Sequence, residues 1–372
     1  MSTSPRREIP LWRPPALDTA AALDAFGQLL DSGRFRDGRH TSGLEEQVSG
    51  FFGRPCVAVG SGMDALELLL EAVGVRERRV LIPVHAFQAI PALVVRLGGY
   101  PVPVPVDPAS LAPTPAVTGR AGRGAVVIWI HHTGIVATHA RATIEALRGQ
   151  GTTVIEDGAY LLPADPHGPG TWGDAALLSF APTKPMSATA GAAVVTGSEE
   201  TAHLVRVRRT HSGVEHRWQE GDVLCRNRSL TEADALIAGQ QWQQRAKIAD
   251  GLQRVQHAYA HALLARRPRL LPVGRQPQPT WGRYLVDLGP HTATDVRHRL
   301  AAHGIATSIT APAPWTAYPA LAPYRTPRQS DDLQPLLSRT LALPYHPALP
   351  DHDVQYVADR LLETLDDHKE LP

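Results

Sequence analysis

The 372-residue chain has only two cysteines, few lysines and no long apolar segment. Two cysteines cannot form a framework of structural disulfides. No stretch approaches the about 20 apolar residues that cross a membrane. The first residues are not followed by the apolar core of a signal peptide. These absences predict a cytoplasmic protein that makes no contact with a membrane.

The chain also lacks an excess of charge of either sign. Its formal net charge is +1, with acidic and basic residues interspersed, which removes the electrostatic basis for nucleic acid as a main partner. A composition of 43% hydrophobic and 20% charged residues is typical of a globular protein. The length allows a large core and two domains.

Lysine is scarce, with three of the 37 basic residues, at positions 184, 247 and 369. Lys184 follows an apolar run and the residues Ser-Phe-Ala-Pro-Thr. An amine can form a Schiff base with an aldehyde and shuttle protons, whereas a guanidinium stays charged and non-nucleophilic. Lys184 is therefore a candidate catalytic residue. The alternative is a solvated loop lysine without a catalytic role.

From residue 56 onward, short apolar runs alternate with amphipathic segments. This alternation predicts an α/β fold with a mostly parallel sheet flanked by helices, in which ligands bind at the carboxyl ends of the strands. The candidate strands are 56–59, 79–84, 125–130, 152–156, 175–180 and 192–196, and the candidate helices between them are 64–73, 90–97 and 139–148.

The domain organisation follows from the Pro-rich stretch 266–279, which indicates a linker. Residues 1–265 form the predicted large domain, with an N-terminal arm at 1–50 that contains one helix near 20–30, and a long helical tract at 231–265. Residues 280–372 form a smaller α+β domain, with strands at 284–288 and 305–310 and helices at 292–303 and 351–365. The segment 311–350 is predicted to be a loop over the site.

Gly60-Ser61-Gly62 lies between a predicted strand and a predicted helix. Backbone N–H groups at such a helix start bind phosphate. The stretch also fits the dinucleotide fingerprint G-x-G-x-x-A, but the following strand ends in His85, where that fingerprint needs an acidic residue. A tight turn without a ligand is the third possibility.

Two carboxylates, Glu156 and Asp157, end the strand that starts at residue 152. Adjacent residues of a strand point to opposite faces, so only one of them can face a given pocket. A buried carboxylate needs a cationic or donor partner, which a pyridinium nitrogen supplies. Phe87 is either an aromatic residue that stacks on a ring or a core residue.

A phosphate turn, an aromatic residue, a strand-end Asp and a loop Lys, in this order, are what pyridoxal phosphate requires. With these residues the chain resembles the DegT/DnrJ/StrS-type family of pyridoxal-phosphate-dependent sugar aminotransferases, which have the fold-type I architecture. The resemblance covers nearly the whole chain and rests on 60–66, 155–157, 173–174, 179–184, 209–211, Asn227 and 343–347.

The resemblance implies roles around the cofactor ring. Lys184 would form the Schiff base and move the proton, and Asp157 would pair with the pyridine nitrogen. Phe87 would stack on the ring, and Tyr160 would lie near the phenolic oxygen.

The resemblance also implies a phosphate site. Gly62, Met63, Asp64 and Ser179 would hold the phosphate. Asn227 would reach it from the neighbouring subunit of a homodimer with shared active sites.

Four positions depart from the family pattern. Met63 replaces a Thr, Tyr160 a Gln or His, and Ser229 an Arg, while Ala190 stands where the family has an acidic residue. The cofactor residues are thus retained and the substrate end is altered. We expect substrate contacts from 185–191, 211–217 and 311–350.

The expected function is amino transfer from an amino acid to a keto group of a sugar, a cyclitol or a related biosynthetic intermediate. One alternative is another pyridoxal-phosphate reaction of the same fold, namely elimination, decarboxylation or ring formation. The other is a non-enzymatic protein that has kept the fold for binding or regulation.

Overall fold

A computed structural model of the protein describes residues 8–210, 226–264, 282–309, 313–325 and 333–366. The larger part is built on a seven-stranded sheet with the order β1-β7-β6-β5-β4-β2-β3, in which β7 runs antiparallel to its neighbours β1 and β6 and the other pairs are parallel. Its strands are β1 Cys56–Val59, β2 Arg79–Pro83, β3 Tyr100–Val104, β4 Val126–Ile130, β5 Thr153–Asp157, β6 Ala175–Ser179 and β7 Ala192–Thr196.

Helices cover both faces of this sheet, which confirms the predicted α/β class. Strand β1 shows why the runs are apolar throughout: Cys56 and Ala58 pack on one face, while Val57 and Val59 pack on the other. The helices of this part are α1 Thr19–Ser32, α2 Arg39–Phe52, α3 Gly62–Val73, α4 Ala89–Arg96, α5 Ala140–Gly149, α6 Glu199–Arg208, α7 Glu232–Gln243 and α8 Arg245–Leu264.

Three elements of this part differ from the prediction. The edge strand β3 was missed because Pro101 and Pro103 alternate in it, and proline is tolerated at a sheet edge. The second helix of the N-terminal arm, α2, was also missed. The predicted tract 231–265 is two helices that meet at Gln244.

The C-terminal part pairs β8 Tyr284–Asp287 with β9 Thr340–Leu343 and adds α9 Ala293–Ala302, α10 Gln334–Ser338 and α11 Asp351–Asp366. The predicted strand 305–310 is wrong for the described residues, because Ile305 and Ser308 form only isolated bridges, to Ile9 and Ala342. The predicted loop 311–350 contains β9 and α10. The linker 266–279 lies outside the described residues, and the domain boundaries remain a prediction.

One buried cluster joins α2, α7, α8 and α11 with β8 and β9. The C-terminal part thus packs against α8, and the same cluster includes Cys56 and Ala58 on one face of the large sheet. No helix within the described ranges has the length and apolar character needed to cross a membrane.

Candidate active site

The turn between β1 and α3 has the geometry of a helix start. Ser61 caps α3, and its Oγ accepts a hydrogen bond from the backbone N–H of Asp64 at 3.1 Å. A Cβ added at Gly62 would lie 3.5 Å from the Ser179 Oγ. The first turn of α3 therefore lies next to the hydroxyl at the end of β6.

The predicted phosphate residues are not equivalent in this turn. The backbone N–H of Asp64 donates to the capping Ser61 Oγ. The Asp64 Oδ2 in turn accepts a hydrogen bond from the Ser61 hydroxyl at 2.7 Å. The first N–H groups of a helix have no partner within the helix, so Gly62 and Met63 fit a phosphate better than Asp64. Their role, together with that of Ser179, stays a prediction.

Glu156 and Asp157 point to opposite faces of the sheet. Glu156 is fully buried and contacts the His131 Nε2 at 2.9 Å, and it accepts hydrogen bonds from the backbone N–H groups of Gly170 and Gly173 at 2.8 and 2.7 Å. Burial raises the pKa of Glu156, but these contacts outweigh it and hold the pKa below the ordinary value. These partners occupy Glu156, which leaves Asp157 as the carboxylate of the pair that is available to a ligand, and its role there stays a prediction.

Asp157 has a different environment. Its Oδ1 accepts one hydrogen bond, from the N–H of Ala159 at 3.0 Å. Desolvation raises the pKa of the Asp157 carboxyl, against the opposing effects of the Ala159 amide, Lys184 and His131. A desolvated carboxyl with a raised pKa is one that a cationic ring nitrogen would stabilise.

Lys184 lies against Tyr160, with its Nζ 3.4 Å from the centroid of the phenol ring. Burial alone raises the pKa of Tyr160, but the positive charges of Lys184 and Arg283 outweigh it and keep the pKa below the ordinary value. The lysine loop is fixed by Ser187, whose hydroxyl donates to the Lys184 carbonyl and accepts a hydrogen bond from the Trp12 indole at 3.3 Å. Lys184 is therefore half-buried and packed on an aromatic ring, and its catalytic role stays a prediction.

Two residues beside Tyr160 were not predicted from the sequence. A Cβ at Gly282 would lie 2.1 Å from the Tyr160 Cδ1, and the Gly282 N–H donates to the Thr133 carbonyl at 2.8 Å. The carbon of the Arg283 guanidinium lies 5.3 Å from the centroid of the same ring. Both lie shortly after the Pro-rich stretch 266–279, and no sequence signal links them to residue 160.

Two neutral histidines lie at the ends of β2 and β4. The rings of His85 and His132 meet edge to face with centroids 4.4 Å apart. Burial, followed by the charge of Lys184, lowers the pKa of His132 to about 4. Both ring nitrogens of His85 and the Nε2 of His132 have no hydrogen-bond partner within the described ranges.

Phe87 and Asn227 are exposed. Phe87 has an exposed fraction of 60%, so it is not a core residue and its ring is free to stack on a ligand. Asn227 accepts a hydrogen bond from Arg36. The next residue, Arg228, accepts a hydrogen bond at its carbonyl from the Gly60 N–H at 2.7 Å. The segment that carries Asn227 is thus attached to the phosphate turn of its own chain.

These residues fit pyridoxal phosphate. The desolvated Asp157 carboxyl suits the ring nitrogen and the Lys184 amine suits the aldehyde. The exposed Phe87 ring suits stacking, and the helix start beside Ser179 suits the phosphate. The predicted substrate segment 211–217 lies outside the described residues.

The family model described as the DegT/DnrJ/EryC1/StrS aminotransferase family matches residues 17–362. The chain belongs to this family. The predicted family, fold, enzyme class and cofactor are thereby confirmed: the DegT family chain is a pyridoxal-phosphate-dependent aminotransferase.

Individual relatives agree with this membership. The DegT family chain is 30% identical to UDP-N-acetyl-3-dehydro-alpha-D-glucosamine 3-aminotransferase of Acidithiobacillus ferrooxidans, over 92% of this chain and 93% of the relative. It is 32% identical to L-glutamine:2-deoxy-scyllo-inosose aminotransferase of Micromonospora echinospora, over 62% and 60%. The crystal structure of DesV from S. venezuelae, in complex with a ketimine intermediate, matches with a TM-score of 0.83 and 25% identity over 94% of this chain and 95% of DesV.

Proposed function

We propose that this DegT family chain transfers the amino group of an amino-acid donor to a keto group of a sugar or cyclitol, with pyridoxal phosphate held at Lys184. The observation that carries the proposal is the placement of Lys184 against Tyr160 and within electrostatic reach of Asp157. In the complete reaction the donor becomes a 2-oxo acid and the ketone becomes an amine, so atoms and electrons balance without a further oxidant or reductant.

The chain's own residues have distinct tasks in this reaction. When bound, the cofactor supplies an aldehyde and a ring that accepts negative charge from the donor α-carbon. Asp157 keeps a proton on the ring nitrogen, because that proton neutralises its desolvated carboxylate. The Lys184 Nζ holds the cofactor and, once free, moves the proton from the donor α-carbon. Phe87 and Tyr160 orient the ring.

The acceptor class rests on the relatives. One is named for a dehydro-glucosamine sugar and the other for an inosose. No contact among the described residues favours elimination, decarboxylation or ring formation over amino transfer. The loss of the acidic residue at Ala190 leaves the individual substrate open to experiment.

The proposal includes a homodimer in which Asn227 completes the phosphate site of the partner subunit. One observation supports it: Asn227 is exposed and therefore accessible to a partner subunit. Cytoplasmic location stays a prediction.

The test is a cofactor titration followed by a donor and acceptor screen. The wild type is expected to take up one pyridoxal phosphate per chain with a visible absorbance band, which borohydride fixes onto Lys184. Lys184→Ala is expected to lose the absorbance band and the borohydride-fixed product. Lys247→Ala, a matched control on α8, is expected to keep the band and the product. Glutamate or glutamine should then convert the bound cofactor to its amine form, and a sugar or cyclitol ketone should restore it. A protein without cofactor uptake, or a loaded protein that no donor converts, would contradict the proposal.

A further inference from the structure

Arg283 is a buried cation that has no anionic partner among the residues that the structure describes. Its exposed fraction is 9%, and both hydrogen bonds of its side chain come from Nη1, to the carbonyls of Gly282 at 2.9 Å and Thr183 at 3.5 Å. No carboxylate of the described residues forms an ion pair with it, and its Nε and Nη2 have no acceptor there. A buried guanidinium normally has a paired charge, so this one points to an anion from outside the chain.

The position of Arg283 relates it to the reacting amine. One of its two carbonyl acceptors belongs to Thr183, the residue before Lys184, and its guanidinium lies 5.3 Å from the ring centroid of Tyr160. The same ring lies 3.4 Å from the Lys184 Nζ. Arg283 and Lys184 therefore approach the same aromatic ring, and the hydrogen bond to the Thr183 carbonyl connects the guanidinium to the lysine loop.

The charges of the site leave Arg283 unpaired when the enzyme is loaded. Asp157 is a carboxylate within electrostatic reach of Lys184, and in the proposed function it serves the ring nitrogen. Arg283 is then a cation beside the reaction centre with a free edge for a planar anion.

We propose that Arg283 binds the α-carboxylate of the amino donor and so selects α-amino acids as donors; this rests on the proposed function. The α-carboxylate is attached to the carbon that loses its proton near Lys184, and a guanidinium binds a carboxylate through two parallel hydrogen bonds. The pair orients the donor, so Arg283 determines donor specificity and takes no proton itself.

The test compares binding of an acid and its uncharged counterpart to the loaded enzyme. The probes are 2-methyl-L-glutamate and 2-methyl-L-glutamine, which lack the α-hydrogen and cannot complete the transfer, each with its α-carboxamide analogue. Of the two acids, the one that the wild type binds more tightly is expected to bind about tenfold or more tightly than its own α-carboxamide. Arg283→Gln is expected to remove this preference for the acid. Tenfold corresponds to about 1.4 kcal/mol.

Three controls make the result specific. Arg283→Lys keeps the charge and should restore part of the acid preference, which also covers the case in which Arg283→Gln does not fold. Arg141→Gln, on the exposed face of α5, should leave the preference unchanged. The dissociation constant for pyridoxal phosphate should stay within about twofold in the Arg283 variants, since the residue is not assigned to the cofactor.

The outcomes that would contradict the inference can be distinguished from those that would contradict the proposed function. A loaded wild type that binds neither acid, or that does not distinguish acid from amide, overturns the inference and leaves the proposed function intact. An effect of Arg283→Gln confined to the acceptor ketone shows that the anion belongs to the acceptor, and also overturns it. A protein that takes up no pyridoxal phosphate overturns the proposed function and the inference together.

Discussion

The Nζ of Lys184 lies 3.4 Å from the centroid of the Tyr160 ring, on the face of a phenol that is itself packed against Gly282. A cation over an aromatic face is stabilised by about 0.5–2 kcal/mol. The ring thus holds the amine in one place before the cofactor arrives. Where the family pattern has an amide or an imidazole, this chain has a residue with both an aromatic face and a hydroxyl.

Tyr160→Phe separates these two functions. The ring face that contacts Lys184 is kept and the hydroxyl is lost, so we expect unchanged stability of the cofactor-free protein. Cofactor binding should weaken by about two- to tenfold, the range of a neutral hydrogen bond of about 0.5–1.5 kcal/mol. Equilibrium titration with pyridoxal phosphate measures this. Tighter binding by the variant would show that the hydroxyl does not serve the cofactor.

Gly282→Ala should disturb the site through packing. The new Cβ would lie 2.1 Å from the Tyr160 Cδ1, and overpacking of this kind costs about 1–3 kcal/mol. We expect a lower denaturation midpoint and weaker cofactor binding. Gly239→Ala is the matched control, because a Cβ at this position in α7 has no atom within 4 Å and alanine is the better helix former. Recovery of stability in Gly282→Ala combined with Tyr160→Ala would assign the loss to this contact.

Asp157→Asn should have opposite effects on stability and on cofactor binding. Desolvation raises the pKa of the Asp157 carboxyl above 3.8. The carboxyl therefore stays protonated to a higher pH in the folded state than in the unfolded chain. Stability therefore falls as the pH rises from about 3.8 through the folded-state pKa. At neutral pH we expect the cofactor-free variant to melt at a higher temperature than the wild type, with a flatter pH profile. Its affinity for pyridoxal phosphate should fall at least about tenfold. A variant that melts lower would contradict the desolvation argument.

Acid should destabilise the protein through its buried histidines. Burial lowers the pKa of His132 and of His346 to about 4, so between pH 6.5 and about 4 the unfolded chain binds protons that the folded state does not. The free energy of unfolding should therefore fall as the pH drops through this window, by at most about 1.4 kcal/mol per pH unit for each histidine. Denaturant melts of His132→Gln and the wild type at pH 4.5 and 7.5 test this. A variant with the full wild-type pH dependence would show that His132 does not contribute to the acid destabilisation.

Asn227→Ala tests the shared site. If Asn227 donates to the phosphate of the partner subunit, its loss should weaken cofactor binding by roughly tenfold or more, because a hydrogen bond to a charged group contributes about 1.5–3 kcal/mol. The cofactor titration is combined with the mass of the protein in solution. An unchanged dissociation constant would remove Asn227 from the phosphate site, and a monomer with full cofactor occupancy would refute the shared site.

Much of the fold was predictable because apolar periodicity reports burial directly. All six strands predicted for the sheet are present, and helix α1 lies where the pattern places it. The second helix of the arm carried a signal that was overlooked: Thr41, Leu44, Val48 and Phe52 are buried at helical spacing. Strand β3 gave no such signal, since prolines interrupt it.

The site was predictable to the extent that its residues follow strands. Asp157, Ser179 and Lys184 come directly after apolar runs, and the sheet brings such ends to one edge. Which of Glu156 and Asp157 faces the site depended on His131 and the 170–173 loop, which no local pattern reveals. Gly282 and Arg283 could not be found because their relation to Tyr160 depends on how the chain returns to the sheet after more than a hundred residues.

The position of β1 at one side of the sheet has a consequence for biosynthesis. Within the seven-stranded sheet β1 pairs only with β7, through contacts such as that of Cys56 with Val195. The strand that leads into the phosphate turn is therefore made early on the ribosome but has no sheet partner until β7 has emerged. Non-local pairing of this kind delays folding. A nascent chain that stops before residue 192 would thus carry the phosphate turn in its sequence without the strand that joins this turn to the sheet.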